Sequence, residues 1–315
     1  MPKVVRAHAL LVLITLIWGA TFVIVKSAVE QDATPLLFNF VRMTLAAIAL
    51  GILFRRELRH ISRSALIAGS LTGLFLWLGY EFQTTGLRLT TASKSAFITG
   101  ISVILVPLLL MLFWRRKTSM WTALGVLAAF AGLFLLSVPA SESALGNWAS
   151  VNRGDVLTLG CAVSFAFHII FLGRASERHP IAQIGFLQIA TAAVLMGITA
   201  PLLEKPHIIW SPRVVWAIVL TSLLATAAAF TIQAWAQQFV SPTQTALILS
   251  LEPVFAWMTS YLVLGEHLGL RAGMGAGLIL TGVLISELLG SSSPIRAAEK
   301  PVETQHAASL PESKV

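Results

Sequence analysis

The chain has 315 residues, 56% of them hydrophobic and only 11% charged, with a mean hydropathy of +0.82. Soluble domains carry about 25% charged residues, so a single soluble globule is excluded and a membrane protein is implied. The net charge of +8 does not point to nucleic acid, because the basic residues sit in short clusters between apolar runs, the pattern of membrane orientation.

A spanning helix needs roughly 20 mostly apolar residues. Ten runs qualify, near 7–27, 34–54, 64–86, 92–114, 120–138, 155–175, 181–203, 213–236, 243–264 and 270–289. The first follows Lys3 and Arg6 as a signal peptide would, but it is long and has no clear small-residue cleavage site. It is therefore read as a span. Cys161 is the only cysteine; no intramolecular disulfide is possible, and its apolar surroundings suit a small core residue. Residues 291–315 are polar with scattered prolines and read as a disordered tail.

Arginine and lysine sort by loop. With the N-terminus inside, 14 fall in cytoplasmic segments and 7 in outer ones, with Arg42 inside a span. The bias places both termini in the cytoplasm, which agrees with an even number of spans; the membrane expected is a bacterial inner membrane.

Displaced by 150 residues, the chain aligns with itself. "TASKSAFITG" (Thr91–Gly100) falls on "SPTQTALILS" (Ser241–Ser250). Gln83 falls on Gln233, Gly125 on Gly275 and Gly132 on Gly282. Each half then holds five spans. Five is odd, so the halves enter the membrane in opposite senses. The loops agree: "RRK" (Arg115–Lys117) is basic, and its counterpart "GEH" (Gly265–His267) has lost the cluster. The fold expected is all-α and integral to the membrane, with ten helices as two inverted five-helix repeats. Such repeats belong to transporters that expose one central site alternately.

The stretches "WGATFVIVK" (Trp18–Lys26), "FVRMTLAA" (Phe40–Ala47), "TTASKSAFITG" (Thr90–Gly100), "LEPVFAWMTSYLVLGE" (Leu251–Glu266) and "GAGLILTGVLIS" (Gly275–Ser286) resemble the EamA-type members of the drug/metabolite transporter superfamily. The resemblance implies two five-helix units, 1–138 and 154–289, joined by an external linker (139–153) and followed by a cytoplasmic tail (290–315). It also implies export of small metabolites such as amino acids, or of toxic compounds. "VSFAFHIIF" (Val163–Phe171) departs from the family pattern and introduces His168.

An ionisable group inside a span costs about 2.5–3.5 kcal/mol on insertion scales, so each needs a reason. Arg42, Glu81, His168 and Glu252 are the candidates. Lys26, Lys94 and Glu287 lie near span ends, where they can snorkel. Glu252 sits about eleven residues into its helix, roughly 17 Å deep. Pro253 removes a helix hydrogen bond there and clashes with the carbonyl of Leu249. Broken helices belong where they line a cavity. The pair thus reads as one device, a kink with a carboxylate that meets a proton, a cation or an arginine; the alternative is a structural Glu252–Arg42 ion pair. Pro107 is expected to break the matching helix of the first half, one turn later than the aligned position.

Trp77, Tyr80, Glu81 and Thr84 are spaced to share one helix face, an aromatic and acidic face suited to an amine. His168 is either a proton-coupling group or a partner of a neighbouring helix. Trp18 with Gly19 reads as a pocket wall or as packing. Ser95, Thr99 and Ser102 line one face of the fourth helix, and Thr245 and Glu252 one face of the ninth. Gln83 and Gln233 either bond across the pseudo-twofold or touch substrate. Gly69–Gly73 and Gly273–Gly277, and the pairs Gly125 with Gly132 and Gly275 with Gly282, read as helix-packing faces.

No G-x-x-x-x-G-K-[ST], H-E-x-x-H or G-x-S-x-G occurs, and no Cys/His cluster has metal-ligand spacing. Neither an enzyme nor a cofactor is expected. The partners expected are a small-molecule substrate, the lipid bilayer and protons, in a monomer or homodimer. Efflux of drug-like cations and a non-transporting membrane scaffold are the alternatives to metabolite export.

Overall fold

The structure is a computed structural model that describes residues 2–90, 92–138, 151–264 and 269–290. Thr91, most of the linker, the Gly265–His267 loop and the polar tail lie outside the described residues, as does the side chain of Lys26. The helices are α1 (Lys3–Gln31), α2 (Pro35–Leu53), α3 (Arg63–Leu87), α4a (Ala92–Gly100), α4b (Ser102–Trp114), α5 (Met120–Ser137), α6 (Arg153–Arg178) and α7 (Ile181–Leu203). They continue with α8 (Pro212–Ala236, with a π segment at Leu223–Ala228), α9a (Pro242–Leu249), α9b (Glu252–Leu264) and α10 (Leu270–Leu289). Among the described residues no strand forms; the chain is an all-helical, multi-pass membrane protein.

Helix starts follow local chemistry. The hydroxyls of Ser62, Ser119, Ser211 and Ser241 each accept a backbone N–H of the first turn. Asn152 and Asp155 form a reciprocal capping box. Pro35, Pro212 and Pro242 begin their helices, where the missing N–H would be unbonded anyway.

Nine helices are long and apolar enough to span a bilayer among the described residues. The expected run 243–264 is absent from that set; the chain there forms two helices, Pro242–Leu249 and Glu252–Leu264. The division lies at Ser250–Leu251, ahead of Glu252 and Pro253. Leu251 N–H reaches back only three residues, to the Ile248 carbonyl at 3.1 Å. In the first half, Ile101 N–H bonds the Ile98 carbonyl at 3.1 Å. These positions are repeat counterparts at the 150-residue displacement. Pro107 therefore does not break its helix, contrary to expectation: α4b runs through it from Ser102 to Trp114. Both breaks sit at the same repeat position, with a proline nearby in only one. Pro253 occupies the first turn of α9b, where a proline is tolerated.

The halves pack reciprocally. α3 lies on α6 and α7, while α8 lies on α1 and α2; α4 packs on α6, and α9 on α1. Exchanging halves maps each contact onto its counterpart. The tightest seam joins α5 to α10. A Cβ on Gly125 would stand 2.4 Å from the Gly282 carbonyl oxygen, and one on Gly132 would stand 2.5 Å from that of Gly275. Only hydrogen fits there, and the order of the contacts shows that the two helices run antiparallel. Gly69 and Gly73 admit Leu187 and the Gln188 backbone of α7 in the same way, whereas Gly273 and Gly277 make no such approach.

Loops pair at both ends. At the Asp32 end, Ile209 N–H donates to the Asp32 carbonyl (2.6 Å) and Ser211 to the Asp32 carboxylate (2.7 Å). At the opposite end, which carries Arg115, Gln183 donates to the carbonyls of Glu57 (2.9 Å) and His60 (3.2 Å). Of five apolar clusters among the described residues, the two largest lie one among α1, α4, α5, α8, α9 and α10, the other among α2, α3, α7 and α8. Trp18 touches both.

Candidate functional site

Where the two clusters meet, polar side chains gather around the π segment of α8. A π turn leaves carbonyls available that an α-helix would use internally. The Ala225 carbonyl accepts Trp18 Nε1–H at 2.7 Å and Arg42 Nη2–H at 3.4 Å. Arg42 Nε–H also donates to Thr226 Oγ1 at 2.6 Å and Nη2–H to the Tyr80 hydroxyl at 3.2 Å. Its guanidinium stands 5.4 Å from the Tyr80 ring centre. The buried guanidinium of α2 is thereby held by two other helices, α3 and α8, without a carboxylate among the described residues. Trp18 stacks on Phe230 at 5.2 Å and Tyr80 on Phe165 at 5.8 Å, edge to face.

Glu252 completes this region. It is half-buried, opens α9b, and among the described residues makes neither a hydrogen bond nor an ion pair. Arg42, Tyr80 and Cys161 lie within its electrostatic reach. Among the described residues the structural Glu252–Arg42 ion pair is therefore not formed; the guanidinium bonds Thr226, Tyr80 and the Ala225 carbonyl instead. Gly19 lets α1 touch this turn, since a Cβ there would stand 2.9 Å from the Glu252 carbonyl oxygen and 2.7 Å from Phe255 Cβ. A carboxylate at the first residue of a helix is also favoured by the helix dipole. That is the local reason for a glutamate after the break. Its repeat counterpart is Ser102, the first residue of α4b.

The remaining expected residues separate. Trp77 and Glu81 do not join Tyr80. Glu81 Oε1 accepts Thr199 Oγ1–H at 2.6 Å and Trp77 Nε1–H at 3.2 Å, so both residues address α7, while Oε2 is buried with no hydrogen-bond partner. Thr84 accepts Asn39 Nδ2–H at 3.2 Å. The expected single face thus divides between α2, which Tyr80 and Thr84 meet, and α7, which Trp77 and Glu81 meet. His168 is buried, with Nε2 2.9 Å from Gln188 Oε1 and its ring edge-on to Phe230; it ties α6 to α7. Thr99 Oγ1 lies 3.7 Å from Cys161 Sγ. Ser102 is half-buried in α4b. Gln233 is buried with Oε1 unpartnered, Gln83 is half-buried, and no hydrogen bond joins them among the described residues. Thr245 lies in α9a, on the far side of the break from Glu252.

One span-end expectation is overturned. Lys94 does not snorkel: it is buried and 2.6 Å from Asp155, which also accepts Thr90 Oγ1–H at 2.6 Å. Glu287 Oε2 lies 2.5 Å from His8 Nε2. Ala225, Thr226, Gln188, Thr199 and Asp155 escaped sequence reasoning. Only Asp155 left a signal, the N-x-x-D capping pattern beginning at Asn152. Among the described residues no group of three His, Cys, Asp or Glu side chains is placed to hold a metal.

Comparison with known proteins decides the family. The EamA-like transporter family matches twice, over residues 5–138 and 152–288. The chain belongs to this family. It is 33% identical over 278 residues to an uncharacterized transporter of Archaeoglobus fulgidus, covering 88% of this chain and 84% of that one. It is 27% identical over 234 residues to the threonine/homoserine exporter RhtA of Escherichia coli, covering 73% and 71%. One solved crystal structure superposes with a TM-score of 0.75 over 90% of this EamA-family chain and 98% of that one. At 16% identity the likeness is one of fold.

Proposed function

We propose that this EamA-family protein is a secondary active transporter that exports small metabolites, amino acids foremost, across the bacterial inner membrane by alternating access. Its ten spans form two inverted repeats, 1–138 and 154–289, with both termini cytoplasmic. The observation that carries the reading is Glu252, an unpaired carboxylate at a helix break, facing a guanidinium already held by Tyr80, Thr226 and the Ala225 carbonyl. An ammonium group suits Glu252, a carboxylate suits Arg42, and a proton on Glu252 is the coupling step that exchange requires. The reciprocal α5–α10 glycines and the matched helix breaks support the repeat. The name of the Escherichia coli relative supports the substrate class.

The test is flux from proteoliposomes loaded with a metabolite panel, with drug-like cations as the second arm. Accumulation or efflux of amino acids driven by a proton gradient supports the proposal. Movement of cations alone would replace it with the efflux reading, which also uses Glu252. No flux of either class overturns it. Orientation is tested separately: reporter fusions after residues 60 and 117 should read cytoplasmic, and one near residue 147 external.

A further inference from the structure

At the Arg115 end, Arg116 of the loop after α4b and Arg174 and Arg178 of α6 lie over a wall of aromatic rings. α4b ends at Trp114, and Arg115 follows in the left-handed conformation (φ 52°) that usually calls for glycine. Its N–H and that of Arg116 turn back to the Leu110 and Met111 carbonyls. Arg116 is thereby held beside the end of α6, where Arg174 and Arg178 lie within electrostatic reach of it. The Arg174 guanidinium sits 4.2 Å from the Trp114 ring centre. Among the described residues none of these three arginines forms an ion pair, although Glu177 stands among them. Three cations set against the Glu177 carboxylate leave this cluster net positive, a charge that a bound anion relieves.

Below them the surface is apolar. Trp114 meets Phe171 edge-on at 6.1 Å; Phe171, Phe167 and Phe75 stack at 5.1–6.0 Å, and Phe113 closes the wall against Phe167 at 6.1 Å. Phe113 is 59% exposed. Phe167 lies eleven residues before Arg178, so the wall descends roughly 16 Å at 1.5 Å per residue, from the headgroup level towards the bilayer centre. A cluster of arginines above an apolar wall of that depth matches the two ends of one molecule.

We propose that this face is a specific binding site for an anionic phospholipid, with the phosphate among Arg116, Arg174 and Arg178 and an acyl chain along Phe113, Phe167 and Phe75. A free phosphate has the same headgroup chemistry, but nothing in it would use the wall. Basic pockets between membrane helices take acidic lipid headgroups by this chemistry.

The experiment measures phosphatidylglycerol retained by the detergent-purified protein and by two double variants, Arg116→Gln/Arg174→Gln and Arg55→Gln/Arg59→Gln. The second pair removes equal charge at the same end, away from the wall. At roughly fivefold per guanidinium, the first variant should bind about 25-fold more weakly and the second nearly as wild type. Equal loss in both reduces the effect to general surface charge and overturns the proposal. Unchanged binding in the first also overturns it, as does displacement by millimolar inorganic phosphate, which would make this a free-anion site. A phosphatidylglycerol with a photoreactive acyl chain, used on the wild-type protein, gives a measurement independent of variant folding. Crosslinks should concentrate on Phe113, Phe167 and Phe75; an even spread that includes Leu202 and Leu262 overturns the site.

Discussion

The two ends of the molecule are built from repeat counterparts and yet differ. At the Arg115 end, α9a packs on α4b and α6. There Gln237 donates to the Ile169 carbonyl at 2.9 Å and Gln238 to the Ser176 carbonyl at 2.8 Å. Exchanging the halves would place α4a on α9b and α1 at the Asp32 end, and among the described residues no comparable packing exists there. The counterparts of Gln237 and Gln238 are Leu87 and Arg88. Arg88 pairs instead with Glu204 of α7, and Lys94 pairs with Asp155 of α6. One helical frame thus carries side-chain amides on a neighbour's backbone at one end and ion pairs at the other. The helices correspond, and the polar groups that join them do not.

The largest effect that would test this contrast is on the ion pair. Asp155→Ala leaves a buried ammonium at Lys94 and removes part of the α6 capping box. One-sided removal of a buried pair costs about 3–5 kcal/mol, so expression and melting temperature should both fall. Adding Lys94→Met should recover much of the loss; if melting is unchanged in the single variant, the pair does not hold that end.

Next in size is Glu252→Gln. Glu252 has no bonded partner to lose, so melting should stay within about 0.5 kcal/mol of wild type, while flux and its dependence on pH should fall together. Arg42→Met is the contrasting variant, since it breaks the contacts to Thr226, Tyr80 and Ala225, and it should melt early. Early melting of Glu252→Gln would instead point to a structural role.

A smaller effect is expected from Gln237→Leu. A hydrogen bond contributes about 1 kcal/mol net, which corresponds to roughly a fivefold shift towards opening at the Arg115 end. Alkylation of a cysteine placed at Leu249, in a Cys161→Ala background, should quicken by that factor; an unchanged rate would mean that the amide is not a latch. Smallest of all is Pro253→Ala. The first half breaks at Ile101 without help from a proline, so α9 should remain divided. Melting and flux should change little, and a large gain in stability would show that the proline enforces the break.

Much of the fold was legible because each span carries its own hydropathy and many carry a serine or proline start, which are local properties. The helix breaks were less so. Proline is the obvious signal for a break, and it misled at Pro107; the repeat register, which pairs Ile101 with Leu251, was the better guide. The site was legible in its charges but not in its partners. Arg42 and Glu252 stand out as ions in apolar runs, whereas the π segment that receives Arg42 and Trp18 arises in "LLATAA" (Leu223–Ala228), which has no distinguishing chemistry. Tyr80 and Glu81 were grouped by spacing, yet adjacent helical residues point about 100° apart, and each found a different helix.

The α5–α10 seam also sets an order of assembly. Gly125 and Gly132 leave a shallow groove that only the Gly275–Gly282 stretch fills, and that stretch is made 150 residues later. Until α10 enters the membrane, the growing chain presents this groove to lipid or to another chain. A helix of the second half is therefore the one that completes the first half, and a chain cut before Leu270 would carry a ready-made adhesive strip in place of a finished wall.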